Sequence, residues 1–182
     1  MIKLYYYPSY ASMVPHMLIE EIGLDYELVF TDRYANAHKS EAFLRLNPNG
    51  LIPVFEEGDL VLYETAAICL HLVDRHPGAC LAPAVGTADR AHFYKWLMWL
   101  ATALHPALSM YLHPDKWASE RSVVTQLKAS AEAKVSDLLN VIDAELGKGG
   151  GPWLLGDAYS AVDPYALMLC RWSRGMPRPA SS

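Results

Sequence analysis

Residues 47–68 read NPNGLIPVFEEGDLVLYETAAI, and this stretch decides the fold. Asn47-Pro48-Asn49-Gly50 is a turn cluster. Pro53 to Glu56 and Leu60 to Tyr63 are two strands around Glu57-Gly58-Asp59, a hairpin signal. Thr65 to His76 then has helical spacing and is stopped by Pro77-Gly78. Upstream, Ile2 to Tyr7 reads as a buried strand ended by Pro8. Ser12 is a candidate helix N-cap, and Pro15 is tolerated in a first turn. Val14, Leu18 and Ile22 recur at helical spacing until Gly23 ends the helix. Tyr26 to Thr31 is a further strand, and Ser40 to Leu46 a short helix. The order is βαβ, a helix, then ββα. It predicts a four-stranded mixed sheet with helices on both faces.

After residue 77 the pattern changes. Residues 78–86 are a Pro/Ala/Gly-rich linker, and residues 87–182 carry only helical periodicity. Thr87 is placed to cap a long helix with the apolar stripe Phe93, Trp96, Leu97, Leu100 and Leu104. Pro106 is expected to kink or end it. A second helix is expected from about Ser119 to Leu146, broken by Lys148-Gly149-Gly150-Gly151-Pro152. A third starts at Ser160, where Ser160-Ala161-Val162-Asp163 is like a capping box, and fades near Gly175. Pro164 falls where the first intrahelical donor is needed, a cost to this start. The tail Met176 to Ser182 reads as frayed.

Composition narrows the function. Of the 182 residues, 52% are apolar and 19% charged, enough for a full core and unlike a disordered chain. The net charge of −5 comes without a basic patch, which argues against nucleic acid as a partner. Cys69, Cys80 and Cys170 are too few and too scattered for a disulfide scaffold or a metal site. The stretch from Trp96 to Leu112 is short for a membrane span and has Pro106 in its middle. The N-terminus lacks the regions of a signal peptide. The reading is a cytoplasmic protein with no membrane partner.

Three segments carry the chemistry. Ile52-Pro53 at a strand start either blocks an extra ladder bond or, if cis, turns the main chain of Ile52 outward for a peptide-like ligand. Glu64-Thr65 joins a strand to a helix N-terminus, where free N–H groups and the Thr65 hydroxyl favour an anion. Tyr5 to Ser12 is a strand end feeding a second helix N-terminus. There the hydroxyls either donate to an anion lying above the helix, or Tyr5 and Tyr7 pack in the core while Ser12 only caps. In this topology the three segments converge on one edge, which suits a small anionic peptide carrying a thiol.

The YYYP strand end, NPNGLIPV, YETAAI, the long helix with Trp96 and the late GDAYSAVD together resemble the glutathione S-transferase superfamily. KLYYYPSYASMVPH and His105-Pro106 look most like its bacterial beta-class branch. The resemblance implies a thioredoxin-like N-terminal domain (βαβαββα, residues 1–77) and an all-α C-terminal domain. It also implies a cis Ile52-Pro53 bond, a homodimer and glutathione as co-substrate, with no prosthetic group. Ile52 and Pro53 are then expected at the cysteinyl backbone of glutathione, Glu64 and Thr65 at its γ-glutamyl end, and His38 or Lys39 at its glycyl carboxylate. His105 and Tyr111 are candidates for the pocket of a small hydrophobic electrophile. A lone His before Pro in an apolar helix is more often an interior histidine, and His105 is readable as one.

The sequence departs from the branch where the chemistry sits. Ala11 stands at the beta-class cysteine, so Ser12, Tyr10 and Tyr6 compete as thiol activator. Lowering a thiol pKa of about 8.5 by two units requires about 2.7 kcal/mol of differential stabilisation. One hydrogen bond to a charged acceptor supplies about 1.5–3 kcal/mol, and a helix end about 0.3–1. Conjugation, the detoxification chemistry, therefore survives the loss of cysteine, whereas mixed-disulfide exchange does not. The competing reading is a non-catalytic, stress-related adaptor. The chain also stops earlier than the family pattern.

Overall fold

The computed structural model describes residues 1–148 and 150–180. Gly149, within the expected helix-breaking run, and Ser181-Ser182 of the expected frayed tail lie outside the described residues. The chain divides into two compact units, Met1–Ala82 and Pro83–Ser182.

The first unit holds strands β1 (Ile2–Tyr6), β2 (Tyr26–Phe30), β3 (Val54–Glu57) and β4 (Leu60–Tyr63), in the sheet order β2-β1-β3-β4. β1 runs parallel to β2 and antiparallel to β3, and β3 pairs antiparallel with β4. Helices α1 (Met13–Ile22), α2 (Glu41–Leu46) and α3 (Thr65–Arg75) complete the thioredoxin-like βαβαββα order. Strand alternation explains the two-sided core. Leu4 lies opposite Phe55, whose ring meets His71 of α3 edge-on, and α1 packs against α3 on this side. Tyr5 lies opposite Val54 on the other face, where Phe43 and Leu46 of α2 cover Val54, Ile52 and Tyr63.

The second unit is helical: α4 (Ala88–Trp99), α5 (His105–Leu112), α6 (Arg121–Leu146) and α7 (Val162–Trp172). No helix among the described residues is long and apolar enough to cross a membrane. Thr87 caps α4, its side chain accepting from the Arg90 N–H at 3.1 Å. Phe93, Trp96, Leu97, Leu100 and Leu104 are all buried, as their spacing predicts.

Four local expectations are corrected. Pro106 does not end the long helix. A π-helical turn over Leu100–Leu104 absorbs the missing donor, and α5 follows without a break. The last helix begins at Val162, two residues after Ser160, so Pro164 is its third residue. Its missing N–H is one of those left unpaired at any helix start, and the expected cost vanishes. Asp163 still works as a box: Oδ2 accepts from the Ser160 N–H at 2.8 Å and Oδ1 from the Leu154 N–H at 2.9 Å. The tail up to Ala180 is tied down, with Met176 buried and the Ala180 N–H donating to the Ser173 hydroxyl at 2.9 Å. Ser12 occupies the position before α1 but makes no side-chain cap, for a reason seen below.

Candidate functional site

The hairpin register builds the candidate site. Val54 opposite Tyr63 sets Ile52-Pro53 beside Glu64-Thr65, and Tyr5 opposite Val54 brings the end of β1 to the same edge. The Ile52-Pro53 peptide bond is cis. Among the described residues none hydrogen-bonds the N–H or C=O of Ile52. The side chain of Ile52 is buried with Phe43 and Val54, and Tyr7 packs against that cluster. The turn before it is stapled by Asn47, whose Nδ2 donates to the Leu51 carbonyl at 2.8 Å and whose Oδ1 accepts from the Asn49 N–H at 3.0 Å. Gly50 has φ +61°, and a Cβ there would meet Lys39 Nζ at 2.8 Å and the His38 carbonyl at 2.9 Å. The ammonium of Lys39 therefore lies over this turn, two residues from Ile52. His38 is buried and has an interaction of its own, so it is not the solvated side chain that a loop position suggests.

Glu64, not Thr65, is the residue before α3, and it stands at φ 75°. Carrying a side chain in that region costs of order 1 kcal/mol, and such positions cluster at ligand sites. Thr65 is buried as the first helical residue.

The three candidate hydroxyls differ sharply. Ser12 is only 2% exposed. Its Oγ donates to the Tyr7 carbonyl at 3.3 Å and accepts from the Tyr7 N–H at 3.4 Å. That is why it does not cap α1: the hydroxyl ties the helix start to the end of β1. Tyr10 is half-buried, edge-on to Tyr7 at 5.0 Å, with the Arg33 guanidinium 4.5 Å from its ring centre. Tyr6 is half-buried against Phe30. Burial first, then Tyr34 and Asp32, hold the Tyr7 hydroxyl above its ordinary range. The Tyr5 hydroxyl donates to Glu56 at 2.8 Å, and burial followed by that bond pushes it up to about 12. Tyr5 is thus a structural phenol. The Arg33–Tyr10 stack was not legible in sequence, because nothing in a loop pattern shows which ring a guanidinium covers.

His105 and Tyr111 belong to the helical unit. His105 Nδ1 lies 2.9 Å from the Tyr165 hydroxyl, and its ring meets Trp172 edge-on at 5.1 Å. Burial depresses its pKa to about 4, so it is neutral at pH 7. Tyr111 is buried and donates to the Gly175 carbonyl at 3.3 Å. Among the cysteines, Cys69 is buried in α3, where burial pushes its thiol well up, and Cys170 is raised for the same reason. Cys80 is exposed. Among the described residues no three His, Cys, Asp or Glu side chains are placed to hold a metal ion.

Residues 1–74 match the family model for the glutathione S-transferase N-terminal domain. Over 98% of its length the chain is 33% identical to glutathione S-transferase 3 of Zea mays, covering 81% of that protein. The chain belongs to the glutathione S-transferase family. A glutathione S-transferase of Xanthomonas campestris is 29% identical over 94% of this chain and 82% of its own. The crystal structure of a glutathione transferase homolog from Sulfitobacter, with bound glutathione, superposes with a TM-score of 0.85 at 28% identity. It covers 94% of this chain, which in turn covers 82% of that one.

Proposed function

We propose that the protein is a glutathione transferase that joins the glutathione sulfur to small hydrophobic electrophiles. The observation that carries this reading is the unpartnered main chain of Ile52, set by register beside Glu64-Thr65 and two residues from the Gly50 turn that Lys39 covers. In this reading Ile52, followed by Pro53, pairs with the cysteinyl backbone of glutathione as an added strand would. Glu64 and the start of α3, with Thr65, hold the γ-glutamyl end: the carboxylate takes the amino group and the helix end the α-carboxylate. Lys39, rather than the buried His38, takes the glycyl carboxylate.

The sulfur then lies near the start of α1. Tyr10 is the preferred thiol activator, because its hydroxyl has no hydrogen-bond partner among the described residues. Tyr6 is the alternative. Ser12 acts by holding the end of β1 against α1, since its proton is already given to Tyr7. The activator donates to the thiolate, the helix end adds its dipole, and the thiol proton leaves to solvent. The sulfur attacks the electrophilic carbon as the leaving group departs with its electron pair. The protein supplies orientation and a lowered thiol pKa. No proton transfer is assigned to His105 or Tyr111, whose polar atoms are engaged within the helical unit by the Tyr165 hydroxyl and the Gly175 carbonyl.

Retention on immobilised glutathione together with turnover of a chromogenic halonitrobenzene tests the reading. Retention without turnover favours the adaptor reading, and absence of both refutes the assignment.

A further inference from the structure

Around the start of α1 lies a group of side chains of which the glutathione reading employs only the Tyr10 hydroxyl. Tyr7 stacks on Phe30 at 5.7 Å with 28° between the rings, and Tyr10 and Tyr34 stand edge-on to Tyr7 at 5.0 and 6.1 Å. Two of these rings face solvent, Phe30 at 55% and Tyr34 at 89% exposure. Such a run of exposed aromatics on one edge marks a surface that takes a ligand. The fifth member is charged. Arg33 lays its guanidinium over Tyr10 and is half-buried, yet it has no carboxylate partner among the described residues. The neighbouring Asp32 forms no ion pair with it among the described residues: Asp32 Oδ1 instead accepts from the Tyr34 and Ala35 N–H groups of the turn.

We propose that Arg33 and the rings of Tyr7, Tyr10, Phe30 and Tyr34 select an aromatic electrophile that carries a carboxylate. The proposal rests on the glutathione transferase reading and names its substrate class. The rings provide flat apolar contact for an arene. A guanidinium stacked by one face on a phenol keeps its N–H edges for a planar, bidentate carboxylate. The other anion of the reaction, the glycyl carboxylate, is taken by Lys39 at the Gly50 turn and leaves Arg33 for the electrophile. In the reaction the glutathione sulfur forms a bond to the halogen-bearing ring carbon. The carbon–halogen bond breaks, halide leaves with the electron pair, and the carboxylate is unchanged.

The test compares a chloronitrobenzoate with its uncharged methyl ester, each rate corrected by its uncatalysed reaction. It uses the full chain and the variants Arg33→Gln and Arg33→Lys. Binding of nitrobenzoate in the absence of glutathione, and retention on glutathione resin, are read in parallel. The expected result is a carboxylate-over-ester preference in kcat/KM that falls about tenfold in Arg33→Gln and is partly kept in Arg33→Lys. That is the low end for one hydrogen bond to a charged group. A wild-type protein without the preference, or an Arg33→Gln protein with an unchanged ratio, overturns the proposal. If glutathione is not retained while nitrobenzoate binding still depends on Arg33, the anion-binding aromatic site stands and the transferase reading falls.

Discussion

Acid should cost the helical unit stability through one residue, His105. In the folded chain its pKa is depressed from 6.5 to about 4, because protonation would put a charge into an apolar interior. Unfolding returns it to the ordinary value. A group with a depressed folded pKa contributes stability that is complete above its unfolded value and is lost as pH falls toward the folded one. For this shift the loss from pH 7 to pH 5 is about 2 kcal/mol, and the full loss below pH 4 about 3. Other groups titrate too. Burial raises Asp163, which acts with the opposite sign, so its contribution is present below its unfolded value and lost as pH rises. The informative quantity is therefore the difference between the wild type and His105→Gln. Urea unfolding followed by tryptophan fluorescence reads this unit alone, since Trp96, Trp99, Trp117, Trp153 and Trp172 all lie after Ala82. The expected result is that His105→Gln loses about 2 kcal/mol less than the wild type between pH 7 and pH 5. An equal acid loss in both proteins refutes the reasoning.

Further outcomes follow from single contacts. Asp163→Ala leaves the buried N–H groups of Leu154 and Ser160 without their acceptor, so it should cost about 3 kcal/mol. Thermal unfolding followed by circular dichroism should show a midpoint lower by roughly 6–12 °C. Timed alkylation read by mass spectrometry should modify Cys80 first and reach Cys69 only in denaturant; equal rates would contradict the burial of Cys69. Lys39→Ala should weaken glutathione binding by about 1 kcal/mol, roughly fivefold, because Lys39 is an exposed residue. Calorimetry at low and high salt checks this, and a salt-independent loss would argue against a charge role.

Much of the fold was legible because its signals are local. Glu57-Gly58-Asp59 fixed the hairpin, Gly23 adopts the left-handed φ of 75° that ends α1, and Thr87 caps α4. The misreadings share one cause: a side chain or proline was judged from its own neighbourhood while a distant contact decided its state. Ser12 looks like a cap, but the end of β1 takes its hydroxyl. Pro106 is able to kink or end a helix, but a π turn accommodates it and the helix does not end there. At the site, Ile52 and Glu64-Thr65 were readable as strand-end and helix-start residues, and the hairpin register joins them. The burial of His38, the φ of Glu64 and the placement of Arg33 over Tyr10 depend on tertiary structure and leave no mark on spacing.

The central claim concerns a free strip of main chain, and amide hydrogen exchange at Ile52 measures it directly. With no acceptor among the described residues, the Ile52 N–H should exchange readily in the free chain and slow markedly when glutathione saturates it. An exchange rate at Ile52 that stays the same with glutathione fully bound would contradict the docking along this segment.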